Sequence, residues 1–241
     1  MENKTLGVLG GMGPKATSVF FEKVIQNTES NCDQDHIDMI ILNHASLPDR
    51  TMSILDHQEE AFIKVIGKDI KLLEASGVAN IALTCNTAHY FYEQMQALTD
   101  VPIINMVDET IKAIYLKYGA DSKVGILATN GTRRSGIYKN SCHKYNLEPY
   151  FPEPDVQDRV MDIIYNDVKG DLEVGSNNKL EGIIKDLIFE QNCKCVILAC
   201  TELSCIKLSD DVAKYSIDAM DVLVEKSILL SGKKVKQLLK V

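Results

Sequence analysis

Short apolar runs alternate with longer amphipathic stretches along the whole chain. Leu6–Leu9, Met39–Leu42, Ile81–Leu83, Ile103-Ile104, Val124–Leu127 and Val196–Leu198 are almost free of polar residues. Strands covered on both faces read this way. Between them the spacing predicts helices over Pro14–Asn27, Asp56–Ser76, Asp108–Tyr118, Ser135–Tyr145, Asp155–Val168, Lys179–Gln191 and Asp221–Leu239. The second puts Phe62, Val65, Ile66, Ile70 and Leu73 on one face and meets Gly77 as a stop. Strand–helix alternation of this kind predicts an α/β fold with mainly parallel sheets.

The pattern also repeats. Gly7-Val8-Leu9-Gly10-Gly11 resembles Gly125-Ile126-Leu127-Ala128-Thr129, an offset of 118 residues. Ile81-Ala82-Leu83-Thr84-Cys85-Asn86-Thr87 resembles Val196-Ile197-Leu198-Ala199-Cys200-Thr201, an offset of 115. One such match between apolar strands means little. Two at nearly the same offset predict two similar α/β lobes, 1–118 and 119–220, with a seam near Tyr118-Gly119-Ala120-Asp121. The last helix, 221–241, is free to return to the first lobe.

Composition narrows the class without choosing a function. The 241 residues are 45% hydrophobic and 25% charged, which is globular, and long enough to bury a full core. The net charge is −8, with Arg50, Arg133, Arg134 and Arg159 the only arginines, so nucleic acid and anionic membrane are poor partners. No apolar run reaches the roughly 18–20 residues that span a bilayer. The opening Met1-Glu2-Asn3-Lys4 leads into a strand without a signal-peptide core, so a soluble, cytoplasmic protein is expected. Seven cysteines with no C-x-x-C pair argue for reduced thiols rather than disulfides or structural zinc.

Two kinds of feature could carry chemistry. Gly10-Gly11-Met12-Gly13-Pro14-Lys15-Ala16-Thr17 follows the first strand and opens a helix, with Pro14 suited to its first turn. It satisfies a loose dinucleotide pattern, but the second strand ends Leu42-Asn43-His44-Ala45, without the acid that would hold a ribose. A plain turn, or a backbone N–H cradle for a small anion or carboxylate, remain as readings. The second feature is Cys85 and Cys200, each at a strand's C-terminal end where a helix is predicted to begin, each followed within two residues by a threonine, Thr87 or Thr201. That edge forms the ligand crevice in open α/β sheets, and a helix N-terminus favours the thiolate. A lone cysteine there would be core filler; two at equivalent places in two lobes point to chemistry. A facing pair of thiols can remove a proton from one side of a carbon and return one to the other, which is racemisation or epimerisation. His89, four residues after Cys85, leaves a Cys-His hydrolase open, though that reading gives Cys200 no task.

At these motifs the sequence resembles the aspartate/glutamate racemase family, and within it the aspartate racemases, over essentially the whole chain. The opening loop Gly10–Thr17, Cys85-Asn86-Thr87-Ala88-His89 and Cys200-Thr201-Glu202-Leu203 carry the resemblance. Glu202 stands where glutamate racemases typically have histidine and points to the aspartate branch. Ala199, in place of the usual glycine, and Ser204-Cys205, where proline is frequent, depart from the pattern and bear on substrate preference. The resemblance implies two lobes with the site between them, Cys85 and Cys200 as catalytic residues, no pyridoxal phosphate or metal, and a homodimer. Its substrate is aspartate, with glutamate, a hydantoin or another small acid as alternatives. An amino-acid sensor without turnover is the reading from another class.

Arg50 is expected in a loop after the second strand, Leu47-Pro48-Asp49-Arg50-Thr51, and by the same resemblance it meets the substrate's side-chain carboxylate; a guanidinium suits that group. Lys169 meets a carboxylate too, and Tyr165 lies one helical turn before it. Thr129 and Thr132, flanking Asn130-Gly131, line the pocket or simply form the turn. Met12, Gly13, Asn86, Thr87, Thr201 and Glu202 complete the expected binding set. The other cysteines, Cys32, Cys142, Cys193, Cys195 and Cys205, are expected to be packing residues. Lys233-Lys234-Val235-Lys236 and Lys240 read as a basic helix end, and His36, His44, His57 and His143 show no partner pattern.

Overall fold

The computed structural model describes residues 4–170 and 175–236. Its strands are β1 (Leu6–Gly10), β2 (Met39–Asn43), β3 (Asn80–Leu83), β4 (Ile103–Ile104), β5 (Lys123–Leu127), β6 (Glu148–Tyr150), β7 (Cys195–Leu198) and β8 (Ser216–Asp218). They form two four-stranded sheets of the same order, β2-β1-β3-β4 and β6-β5-β7-β8. Every pairing is parallel, with Leu9 level with Leu83 in one sheet and Leu127 level with Leu198 in the other. The fold is α/β, as the alternation of patterns predicts. The edge strands β6 and β8 are short, and Pro149 and Ser216 break their apolar pattern. A proline is tolerated there because an edge strand has one unpaired side.

The chain divides into two compact units, Met1–Met106 with Met220–Val241, and Val107–Ala219. The division falls at the start of helix Met106–Tyr118 rather than beside Gly119. That helix joins the second unit, where Tyr115 packs on Tyr145 with ring centroids 5.5 Å apart and Asp108 accepts from Ser141 at 2.6 Å. The final helix, Ala219–Leu230, is tied to the first unit by Lys23 and Asp221 at 2.6 Å.

In the first unit Phe62, Ile66, Ile70 and Leu73, the stripe predicted from spacing, pack with Leu9, Ile81 and Leu83 of the sheet. In the second, Val160, Ile163, Ile164, Ile183, Ile184 and Leu187 pack with Leu127, Val196 and Leu198. Each of these faces excludes water from one side of its sheet, which supplies most of the driving force for folding.

Several helices differ from the expected ones. Arg50 does not lie in a loop: it opens the helix Arg50–Leu55, capped by Asp49, whose carboxylate accepts from the Met52 N–H at 2.9 Å. The helix expected over Ser135–Tyr145 is found as Ile137–Lys144, and a further short helix, Asn130–Ser135, precedes it, the two separated at Gly136 with φ 71°. The stretch from Asp155 continues beyond Asp162 as a π-helical turn, Ile163–Val168. The last helix ends at Leu230. Lys233–Lys236 therefore do not form a helix end; they run beside Asn27–Glu29, where Thr28 and Val235 pair as a β-bridge. Lys240 and the predicted helical residues 237–239 lie outside the described residues. Among the described residues no helix is long and apolar enough to cross a membrane.

Candidate active site

Both sheets present their chemistry at the C-terminal ends of their two central strands. In the first unit β1 runs into Gly11, Met12 and Gly13. Gly11 has φ 89°, and a Cβ there would fall 2.4 Å from the His44 backbone, so only glycine fits. Thr17, one turn into the following helix, holds the loop: its Oγ1 accepts from the Gly11 N–H at 2.9 Å and donates to the Gly13 carbonyl at 3.0 Å. The same hydroxyl lies 3.3 Å from that of Thr84, which binds the loop to the end of β3. The Met12 side chain is buried in the core, while its backbone carbonyl accepts from Arg50.

Arg50 approaches this loop and is 8% exposed. Its guanidinium donates to the carbonyls of Pro48 at 3.0 Å and Met12 at 3.4 Å, and Nε is buried with no partner. Among the described residues no carboxylate pairs with it. A buried guanidinium facing only neutral acceptors keeps its charge available for an anionic group.

Cys85 follows β3 and is 6% exposed. Asn86 and Thr87 are buried beside it, and the chain then turns as a 3₁₀ helix, Thr87–Phe91. The expected α-helix N-terminus is absent here, as it is after Cys200, where the turn is the 3₁₀ segment Leu203–Cys205. Turns this short carry little dipole, so a helix N-terminus does not explain an activated thiol at either place. His89 resolves into a support. Its Nε2 accepts from the Met106 N–H at 3.1 Å, so Nδ1 carries the proton and donates to the Cys85 carbonyl at 2.8 Å. Both ring nitrogens serve the backbone, which counts against a Cys-His dyad.

In the second unit β5 runs into Ala128 and Thr129. The Thr129 hydroxyl caps the next helix, accepting from the Thr132 N–H at 3.2 Å, and the two hydroxyls lie 3.1 Å apart. Cys200 follows β7 and is 5% exposed. Its thiol donates to Glu202 Oε2 at 2.9 Å, while Glu202 Oε1 is buried without a partner. Thr201 is buried between them in sequence. The ammonium of Lys169 lies 4.0 Å from the centre of the Tyr165 ring, so these two do share a face, at the end of the π-helical turn. The buried Asp167 anchors that turn to Lys179 at 3.2 Å. Of the expected set, Met12, Gly13, Arg50, Cys85, Asn86 and Thr87 belong to the first unit, and Thr129, Thr132, Tyr165, Lys169, Cys200, Thr201 and Glu202 to the second.

Two buried polar residues of the second unit carried no functional signal in the sequence. Tyr138 is wholly buried, and its phenol is pushed well above its ordinary range by that burial and further by the Cys142, Asp218 and Cys200 groups, against a hydrogen bond with Thr110. Gln157 is buried on helix Pro154–Asp162 and donates to the Ala128 carbonyl at 2.9 Å. Its packing signal was a glutamine three residues before Val160, on the apolar stripe of that helix. Of the remaining cysteines, Cys142, Cys193 and Cys195 are packing residues, their thiols pushed up to about 12, 11 and 12 by burial. Cys32 is exposed, ahead of the short turn Asp33–Asp35, so it is not one of them. His44 does have a partner, Asp69 at 2.7 Å. Among the described residues no group of His, Cys, Asp and Glu is arranged to hold a metal ion.

Comparison with known proteins bears on this geometry. A family model described as Asp/Glu/Hydantoin racemase matches residues 9–227. The broad specificity amino-acid racemase RacX of Bacillus subtilis (strain 168) is 39% identical over 138 residues, 56% of this chain and 58% of that one. The chain therefore spans little more than half the length of that relative. Among solved structures, the aspartate racemase of Picrophilus torridus is similar with a TM-score of 0.86 and 31% identity, over 97% of this chain and 96% of that one. An aspartate racemase homologue from Pyrococcus horikoshii OT3 shares the fold, with a TM-score of 0.76 and 24% identity over 95% of this chain and 99% of that one.

Proposed function

The chain belongs to the Asp/Glu/Hydantoin racemase family, and we propose that it interconverts L- and D-aspartate by a two-cysteine, two-base proton transfer at the α-carbon, without pyridoxal phosphate or metal. The observation that carries this reading is the equivalence of Cys85 and Cys200. Each is buried, and each stands just past the third strand in order of a parallel four-stranded sheet, in two sheets of one topology. Similarity to a protein named an aspartate racemase supports the choice of substrate.

In this mechanism one thiolate takes the α-proton and the other thiol delivers a proton to the opposite face. Cys200, hydrogen-bonded to Glu202, carries its proton in the resting site. One enantiomer therefore reacts with Cys85 as base and Cys200 as acid. That turnover leaves Cys85 protonated and Cys200 as the thiolate, which is the state that takes the other enantiomer; when the same enantiomer returns, Cys85 gives its proton to solvent and Cys200 regains one through Glu202. Arg50 holds the distal carboxylate through its buried fork, with Lys169 as the second cation. Tyr165, Thr129 and Thr132, the Met12-Gly13 backbone, and Asn86, Thr87 and Thr201 line the substrate. The same reading makes the protein a cytoplasmic homodimer.

The test is incubation of the purified protein with L-aspartate in deuterated water, without added cofactor, followed by chiral chromatography and mass analysis. D-Aspartate should appear carrying α-deuterium from the first turnovers, while remaining L-aspartate stays largely protiated. Early product that retains its α-hydrogen points to a single base. Tight aspartate binding without turnover points to a sensor. Similarity to a racemase named for broad specificity favours a second reading, in which aspartate is one substrate among several. The same assay on a panel of amino acids separates the two.

A further inference from the structure

We infer that Gln157 binds the substrate, its side-chain carbonyl oxygen accepting a hydrogen bond from the α-ammonium group of the amino acid. This rests on the racemase reading above and names a contact that reading leaves open. Gln157 is 4% exposed, and its Nε2 donates to the Ala128 carbonyl at 2.9 Å. That bond fixes which end of the amide is nitrogen, so Oε1 is the other end. Oε1 is buried and has no hydrogen-bond partner among the described residues.

Holding the Ala128–Asn130 turn does not explain this oxygen. The Nε2 bond alone fastens Ala128, and one turn further along the helix Met161 Sδ accepts from the Asn130 N–H at 3.3 Å. A methionine or leucine at 157 would pack without burying an unmet acceptor, which folding disfavours. The fold itself gives this oxygen no donor among the described residues.

Its location says which donor. Leu127 pairs with Leu198 across β5 and β7, and the Ala199 N–H donates to the Leu127 carbonyl at 2.8 Å. Ala128, which Gln157 grips, thus lies beside the chain leading directly into Cys200. Glu202 Oε1, on the same edge, is a second buried acceptor without a partner. Two acceptors repel both carboxylates of an acidic amino acid and suit its ammonium, which has N–H donors only. A neutral amide also leaves that group protonated, and the positive charge acidifies the neighbouring α-hydrogen.

The experiment compares aspartate with succinate, the dicarboxylate that lacks the ammonium, by titration calorimetry on wild type and Gln157→Met. Aspartate affinity should fall roughly tenfold or more, the usual loss for a hydrogen bond to a charged group, with succinate affinity within about twofold of wild type. An equal loss for both ligands, or no loss for aspartate, overturns the proposal. Gln157→Asn keeps the amide but withdraws it by one methylene and should show the same selective loss, so it decides the matter if the methionine variant fails to fold. Wild-type turnover is read in parallel. If another amino acid proves to be the substrate, the comparison is made between it and its deaminated counterpart, so failure of the aspartate assignment and failure of the Gln157 contact are seen separately. A wild-type protein that acts on no amino acid overturns both.

Discussion

The two units solve one problem in different ways. Both place a buried cysteine past the same strand of the same sheet topology, and both follow it with a 3₁₀ turn rather than a full helix. At Cys85, His89 holds the backbone carbonyl, and Thr17 and Thr84 hold the neighbouring glycine loop. At Cys200 the thiol donates to Glu202 at 2.9 Å. The first unit holds the buried cation Arg50, and the second holds the unpartnered acceptors Glu202 Oε1 and Gln157 Oε1. A duplicated frame thus sets its two cysteines among different neighbours.

The largest expected effect comes from breaking the pair. Cys85→Ser and Cys200→Ser should each lower racemisation by about three decades or more, since a serine hydroxyl cannot stand in as a base at neutral pH. The double variant should be scarcely worse than either single one, because each alone breaks the relay. A Cys200→Ser enzyme with wild-type turnover would end the comparison.

Glu202→Gln sharpens it. The amide is nearly isosteric but cannot take the Cys200 proton, and turnover should fall by about a hundredfold. L- and D-aspartate have equal free energy, so kcat/KM must stay the same in both directions; unequal thiols show as unequal kcat and KM. Unchanged turnover in Glu202→Gln would remove the carboxylate from the proton path.

Arg50→Ala should raise KM for aspartate by about one to two decades, the range for a lost charged hydrogen bond. Arg50→Lys should recover only part of this, because lysine keeps the charge and loses the planar fork. Wild-type kinetics in a variant with an unchanged melting temperature would take Arg50 out of the site.

The smallest effect concerns stability. Cys142, Cys193 and Cys195 all belong to the second unit, and burial raises their thiols from 9.0 to about 12, 11 and 12. Above pH 9 the unfolded chain sheds these protons while the folded unit keeps them. Their contribution is therefore complete below pH 9 and is lost as pH rises through the folded values. Melting temperature should show this decline, and hydrogen exchange should place it first within Val107–Ala219. An alkaline loss that starts in the first unit would contradict the assignment.

How much of this could be read in advance follows from the range of each interaction. The central strands β1, β3, β5 and β7 were legible because their apolar runs are continuous, and burial on both faces leaves a pattern in neighbouring residues. The two cysteines were legible because the strand that precedes each marks its sheet edge, and the near-constant offset exposed the repeat. The edge strands β6 and β8 left no such trace, since three residues with polar members resemble any loop. The sequence also placed Glu202 two residues from Cys200, yet only the path of the turn between them decided that a carboxylate oxygen meets the thiol. His89 had the spacing of a base, but Met106, seventeen residues away, committed it to the backbone. Gln157 looked like one polar residue among several until the packing of its helix on the Ala128 turn buried it. Hydrophobic periodicity is a property of adjacent residues and is written in the chain itself. The choice of hydrogen-bond partner, and with it the chemistry of each thiol, is made only when distant segments pack together.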